Sequence, residues 1–181
     1  MIPCYVSGKG MHAGQPTWNF KTIVMAALES SGLGYDTRYT YYRKQYPDLP
    51  ANEFARMVCD PIENYDKEWP AWRTTNKDAF NTEDELITAF FMERDRHFQD
   101  EARVAIYSFD EAGFGSGVNT MRFIDAVKPI LGFFNPNIKH CQLNIHNVIQ
   151  LEMDYPELVT LHRYSDIDEI PERVTDWLQS I

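Results

Sequence analysis

The residues best placed for chemistry lie in one short stretch. Val104-Ala105-Ile106-Tyr107 is an apolar, β-branched run, followed by Phe109-Asp110-Glu111 and then by Gly113-Phe114-Gly115-Ser116-Gly117. Three glycines within five residues permit positive φ and close approach of the backbone to a bound molecule. A helical pattern begins at Val118, so the amides of Ser116 to Asn119 would open a helix N-terminus. Such an end favours an anion or an oxygen-rich group. Asp110 and Glu111 follow a buried strand. They read equally as site carboxylates and as a solvated turn or helix cap. Ser116 is either a hydrogen-bonding partner for a ligand or a cap for the next helix. Near the N-terminus, Ser7-Gly8-Lys9-Gly10 closes another apolar run and lacks the Walker spacing. It is either a plain turn or a second ligand-facing loop on the same sheet edge. His12, just beyond it, is a candidate acid–base group or a surface histidine. No Ser-His-Asp or Cys-His arrangement can be drawn from the spacing.

These residues need elements to hold them. Ile2 to Val6 predicts a first strand. Thr17 to Ser31 predicts a helix, with Phe20, Ile23, Val24, Ala27 and Leu28 at helical spacing and Gly32 and Gly34 as its stop. Tyr35 to Tyr42, rich in Tyr and Thr, reads as a second strand flanked by Arg38 and Arg43. From Tyr46 to Phe80 the chain makes an aromatic excursion broken by Pro47, Pro50, Pro61 and Pro70, with a short helix predicted over Ala51 to Cys59. Trp69 and Trp72 sit within it, either as part of a lid, binding loop or oligomer contact, or as a satellite hydrophobic cluster over a sheet edge. Thr82-x-x-Glu85 is a capping box and starts a clear helix. That helix ends in the charged run Glu93 to His97, most of it read as a solvated face. Past the glycine stretch come a helix over Val118 to Val127, a strand over Pro129 to Phe134 and a turn at Asn135-Pro136-Asn137. A helix over Leu143 to Met153, a strand over Leu158 to Leu161 and a helix over Ile167 to Leu178 close the chain. Strands alternating with helices predict a doubly wound parallel sheet. The candidate cleft lies above the carboxyl ends of the first strand and of the strand after the Thr82 helix. That strand is the fourth if the excursion adds a short or irregular one.

Composition narrows the classes. A chain of 181 residues with 44% apolar and 14% aromatic residues can bury a proper core and reads as one domain. A net charge of −10 argues against a general nucleic-acid or anionic-membrane surface, while leaving room for a local basic pocket. No apolar run approaches the roughly 20 residues that cross a bilayer. The N-terminus lacks a signal-peptide pattern. Cys4, Cys59 and Cys141 read as free thiols in a cytoplasmic protein, with Cys4 an inert buried thiol. No CxxC or HExxH motif occurs, and neither a metal nor a cofactor is expected. His140, His146 and His162 have no metal-ligand spacing.

The segment from Glu93 to Phe134 resembles the nucleoside 2-deoxyribosyltransferase and nucleotide N-glycosidase superfamily. Asp95 falls where that family carries a helix Asp. Val104 to Phe109 matches its strand, Gly113 to Gly117 its glycine loop, and Lys128-Pro129-Ile130-Leu131 its closing strand. Tyr5-Val6-Ser7-Gly8 is similar to its opening strand and turn. The match covers about a quarter of the chain. It implies a three-layer α/β sandwich, flavodoxin-like or Rossmann-like, with a parallel five-stranded sheet, and it implies a cleft for a nucleoside or nucleotide. The family's nucleophilic Glu falls at or next to Asn119. The Asn119-Thr120 pair resembles a YtoQ-like branch of the same superfamily.

That departure matters chemically. Cleaving an N-glycosidic bond builds positive charge at C1′, which a carboxylate can stabilise or attack. An amide can only orient a ribose hydroxyl or a water. One expectation is that Asp95, Asp110 and Glu111 share the work, one carboxylate stabilising the ring and one protonating the leaving base. A second is a nucleotide-binding or interaction module that kept the pocket and lost the chemistry. A third is a βαβ unit with no closer relationship. Ser7, Gly8, Gly115, Ser116 and Gly117 are the expected substrate-binding residues. The resemblance further implies a homo-oligomer, with Asn144 and Asn147 reaching a neighbouring subunit's site.

Overall fold

A computed structural model describes residues 1–9, 14–58, 66–138 and 142–181, the side chains of residues 142–144 excepted. Its centre is a five-stranded sheet, every adjacent pair parallel, made of β1 (Ile2–Ser7), β2 (Gly34–Asp36), β3 (Val104–Ser108), β4 (Ile130–Phe134) and β5 (Val159–Arg163), in the order β2-β1-β3-β4-β5. Strands that alternate with helices can pair in parallel only through crossovers, and these cover both faces of the sheet. The result is a three-layer α/β sandwich with flavodoxin-like strand order. Its direction reverses between β1 and β3, and ligands of such sheets bind above the strand ends at that point.

The pleat sorts β1 between the two faces. Cys4 and Val6 pack with Phe20, Val24 and Leu28 of α1 (Gln15–Ser31) and with Val174 and Leu178 of α9 (Ile170–Ser180). Tyr5 faces the other way, toward Phe98 of α6 (Glu93–Glu101), Phe123 of α7 (Phe114–Asp125) and Val148 of α8 (Gln142–Asp154). A hydroxyl inside this second core needs a partner, and the partners it finds define the site below.

The second strand is shorter than its β-prone sequence predicts. Pairing stops at Asp36, whose carboxylate accepts from the Val6 amide at 2.9 Å and from the Tyr39 amide at 2.8 Å. The second bond caps α2 (Thr37–Gln45), so the Tyr- and Thr-rich run is helical rather than extended. Packing of Tyr42 with Met25 and Phe54 overrides local propensity. Gly32, at φ 64°, ends α1 as expected, with its amide bonded to Leu28. Gly34 is no part of that stop. A Cβ there would lie 2.9 Å from the Ile2 carbonyl, so glycine is what lets β2 pair closely with β1.

Within its described residues the excursion contributes helices and no strand. These are α3 (Ala51–Met57), α4 (Trp69–Asn76) and a 3₁₀ turn at Lys77–Ala79. Among the described residues the strand after the Thr82 helix is therefore the third, not the fourth. Trp69 and Trp72 stack with centroids 6.0 Å apart and pack with Leu86, Phe90 and Phe91. They form the satellite cluster, set against a helix rather than a sheet edge. That helix opens at the Thr82–Glu85 capping box with α5 (Glu83–Ile87), passes through a π turn at Thr88–Met92 and continues as α6. No helix of the described residues is long and apolar enough to cross a membrane.

Candidate functional site

The site is built on the outward pattern of β1 and the inward face of α6. The Tyr5 hydroxyl donates to both oxygens of Asp95, at 2.8 and 2.9 Å. The Asn119 amide donates to the same hydroxyl at 3.3 Å, and the Gln99 amide donates to Asp95 at 2.8 Å. The Arg38 guanidinium lies 4.3 Å from the centre of the Tyr5 ring, a cation–π distance, and 3.9 Å from the carboxylates of both Asp95 and Asp36. Burial, and then the Asp95 charge, push the Tyr5 phenol well above its ordinary value, while Arg38 pulls it back. Tyr5 therefore stays a proton donor and shares its one proton between the two oxygens of Asp95. The Asp95 side chain is still 25% exposed and opens onto a cleft of about 550 Å³.

The glycine stretch borders this cleft in a way the sequence did not predict. Helix α7 starts at Phe114, so Gly115, Ser116 and Gly117 lie in its first turns rather than in a loop. None of Gly113, Gly115 and Gly117 has positive φ. The Gly117 amide already bonds to the Gly113 carbonyl at 3.1 Å, which moves the open amides back to Phe114, Gly115 and Ser116. A Cβ at any of the three glycines would meet nothing within 4 Å. What their small size provides is open space beside the start of the helix. Buried Ser116 neither caps α7 nor points free. Its hydroxyl donates to the Gly8 carbonyl at 3.0 Å and ties α7 to the end of β1.

Of the expected residues, Asp95, Asn119, Ser7, Gly8, Gly115 and Ser116 share the cleft lining. Gly117 and Asn147 line an adjoining groove toward α8, which shares Gly113, Phe114, Val118 and Arg122 with the cleft. Asp110 and Glu111 are not among the lining residues of the cleft. Buried Asp110 accepts from the Asn135 amide at 2.7 Å and from the Tyr164 hydroxyl, joining the ends of β3, β4 and β5. Glu111 accepts from the Thr17 hydroxyl at 2.5 Å and the Thr17 amide at 3.3 Å, at the start of α1. The helix-cap alternative describes Glu111, and the shared-carboxylate arrangement is not brought together. Gly10, His12, Cys59, His140 and Cys141, and the side chain of Asn144, lie outside the described residues. Cys4 is fully buried, and burial pushes its thiol up to about 12.

Several further cleft residues carry a signal in the sequence. Tyr5 places a phenol within an apolar strand. Lys21 lies on the buried face of α1 beside Thr17, Phe20 and Val24, and is 2% exposed. A charge at a core position of a helix is uncommon unless something compensates it. Arg38 appeared only to flank a strand. Together with Lys9 and Arg122, these give the described lining four basic side chains and one carboxylate, Asp95, with Arg38 also 3.9 Å from the Asp36 carboxylate. Among the described residues no group of three or more His, Cys, Asp or Glu side chains is placed to hold a metal. A scan against protein-family models finds no match, and a search of curated proteins finds no relative.

Proposed function

We propose that the cleft between β1 and β3 binds a nucleotide or nucleoside, and that the protein is a deoxyribosyltransferase-like binding protein whose Asp95 faces the sugar. The observation that supports this best is the convergence of three features in one cleft at the reversal point of the sheet. These are the Tyr5–Asp95–Asn119 cluster, the open start of α7 and a lining rich in cations. The cationic lining fits an anionic ligand and so favours a phosphorylated one. Asp95 would stabilise positive charge at C1′ as the base departs, with Tyr5 and Gln99 fixing its orientation. Asn119 would orient a ribose hydroxyl or a water.

A second reading has its own observation. The only carboxylate in the described lining is held by Tyr5 and Gln99 and lies beside Arg38, and the residue nearest the family's nucleophile position is an amide bonded to Tyr5. That arrangement suits a nucleotide-binding module without turnover. One experiment separates the two. The protein is incubated with nucleosides, nucleoside monophosphates and NAD, base release is followed by chromatography, and binding is followed by thermal shift. Release of base supports the enzyme, a shift without release supports the module, and neither result from any ligand removes both. The reading includes a homo-oligomer, which sedimentation velocity measures directly.

A further inference from the structure

Phe114 is 90% exposed, although an aromatic ring is among the side chains with most to gain from burial. It stands in the first turn of α7 between Gly113 and Gly115, where an added Cβ would meet nothing, so the space around its backbone is open. It shares the cleft lining with Val58 after α3, with Phe91 and Met92 of the π turn, and with Val118 one turn further along α7. Met92 and Val118 are 48% and 36% exposed. The cleft is thus two-sided in chemistry. Tyr5, Asp95, Asn119 and the cations make a polar interior, and apolar side chains from three segments make a rim. The complementary ligand carries a charged, hydroxyl-rich part joined to a flat apolar one.

We infer that Phe114 is the stacking platform for the base of the bound nucleotide. The inference rests on the nucleotide reading of the cleft and adds the residue that receives the base. A phenyl ring at the rim accepts any π-face. Val58, Phe91 and Val118 have no side-chain donor or acceptor with which to read a base edge, and Met92 has only a weakly accepting thioether. Discrimination among bases at this rim therefore follows stacking area, with purines held more tightly than pyrimidines.

The test is calorimetric titration of the full chain with adenosine 5′-monophosphate, uridine 5′-monophosphate and ribose 5-phosphate, using wild type, Phe114→Ala and Phe114→Tyr. Phe114→Ala should weaken both nucleotides by roughly tenfold or more, the adenine nucleotide most, and leave ribose 5-phosphate unchanged. Phe114→Tyr should restore nucleotide binding. Equal losses for all three ligands, or unchanged nucleotide affinity, would overturn the inference while leaving the nucleotide reading intact. Conversion of an oligomer to a monomer by Phe114→Ala, read by sedimentation, would overturn it too, by assigning the ring to a subunit contact. Failure of wild type to bind either nucleotide would instead remove the reading on which the inference stands.

Discussion

Asn119 sits on α7, where its amide reaches the Tyr5 hydroxyl that also grips Asp95. A carboxylate in its place could accept from Tyr5 and face the same part of the cleft. Arg38 would offset some of the repulsion from Asp95. Asn119→Glu is therefore expected to raise base release from a bound nucleotide by on the order of 10²-fold, the low end of what one positioned catalytic group contributes. Single-turnover chromatography reads this directly. A folded variant that binds nucleotide and releases no more base than wild type would show that position 119 does not face C1′. At this scale the sequence was partly legible. Asp95 and Asn119 stand out in the sequence and share the cleft, whereas Asp110 and Glu111, equally eligible by spacing, serve as ties. Which way a carboxylate turns depends on donors distant in sequence, such as Thr17 and Tyr164, and local spacing carries no record of them.

Among the elements, the exit from α7 shows a mismatch of residue and geometry. The Lys128 amide bonds to the Phe123 carbonyl and the Val127 amide to that of Ile124, both at 2.9 Å. These are the two bonds of a Schellman cap, whose left-handed position usually holds glycine. Here it holds Val127, at φ 54° and 72% exposed. A β-branched residue is strained there by about 1–2 kcal/mol. Glycine would remove the strain but adds about 0.5–1 kcal/mol of backbone entropy to be lost on folding. Val127→Gly should therefore stabilise the protein by about 0.5–1 kcal/mol, seen as a higher urea midpoint at unchanged slope. An unchanged or lower midpoint would show that the strain is relieved elsewhere. The same scale shows where patterns mislead. Thr82 and Glu85 announced their cap because both partners lie within one turn. The Tyr- and Thr-rich segment, strand-like by composition, is α2 because Asp36 bonds across to β1 and because Tyr42 finds a core at Met25 and Phe54.

For the molecule as a whole, acid sensitivity has an identifiable contributor before α9. Amides of Asp166 and Ser165, the Ser165 hydroxyl and then His162 hold the Glu169 carboxyl at about 2, below its ordinary value near 4.5. Because the folded value is the lower one, this carboxylate stabilises the fold above about pH 4.5. Its contribution fades as pH falls toward 2. Wild type should thus melt above Glu169→Ala at neutral pH, with the gap narrowing across that window. A gap independent of pH would show that the capping role does not depend on the charge.

By itself, the order of apolar runs and helical periods determined the layered α/β class, because alternating strands and amphipathic helices can be buried in few other ways. It also marked the strand–glycine–helix segment as the border of a candidate ligand cleft. Only the tertiary structure decided the meeting of Tyr5, Arg38, Asp95 and Asn119 in the cleft between β1 and β3. Periodicity is set by contacts within a few residues. A polar cluster is set by hydrogen bonds that span the chain, such as the one from Tyr5 to Asp95, and these exist only once the sheet has assembled.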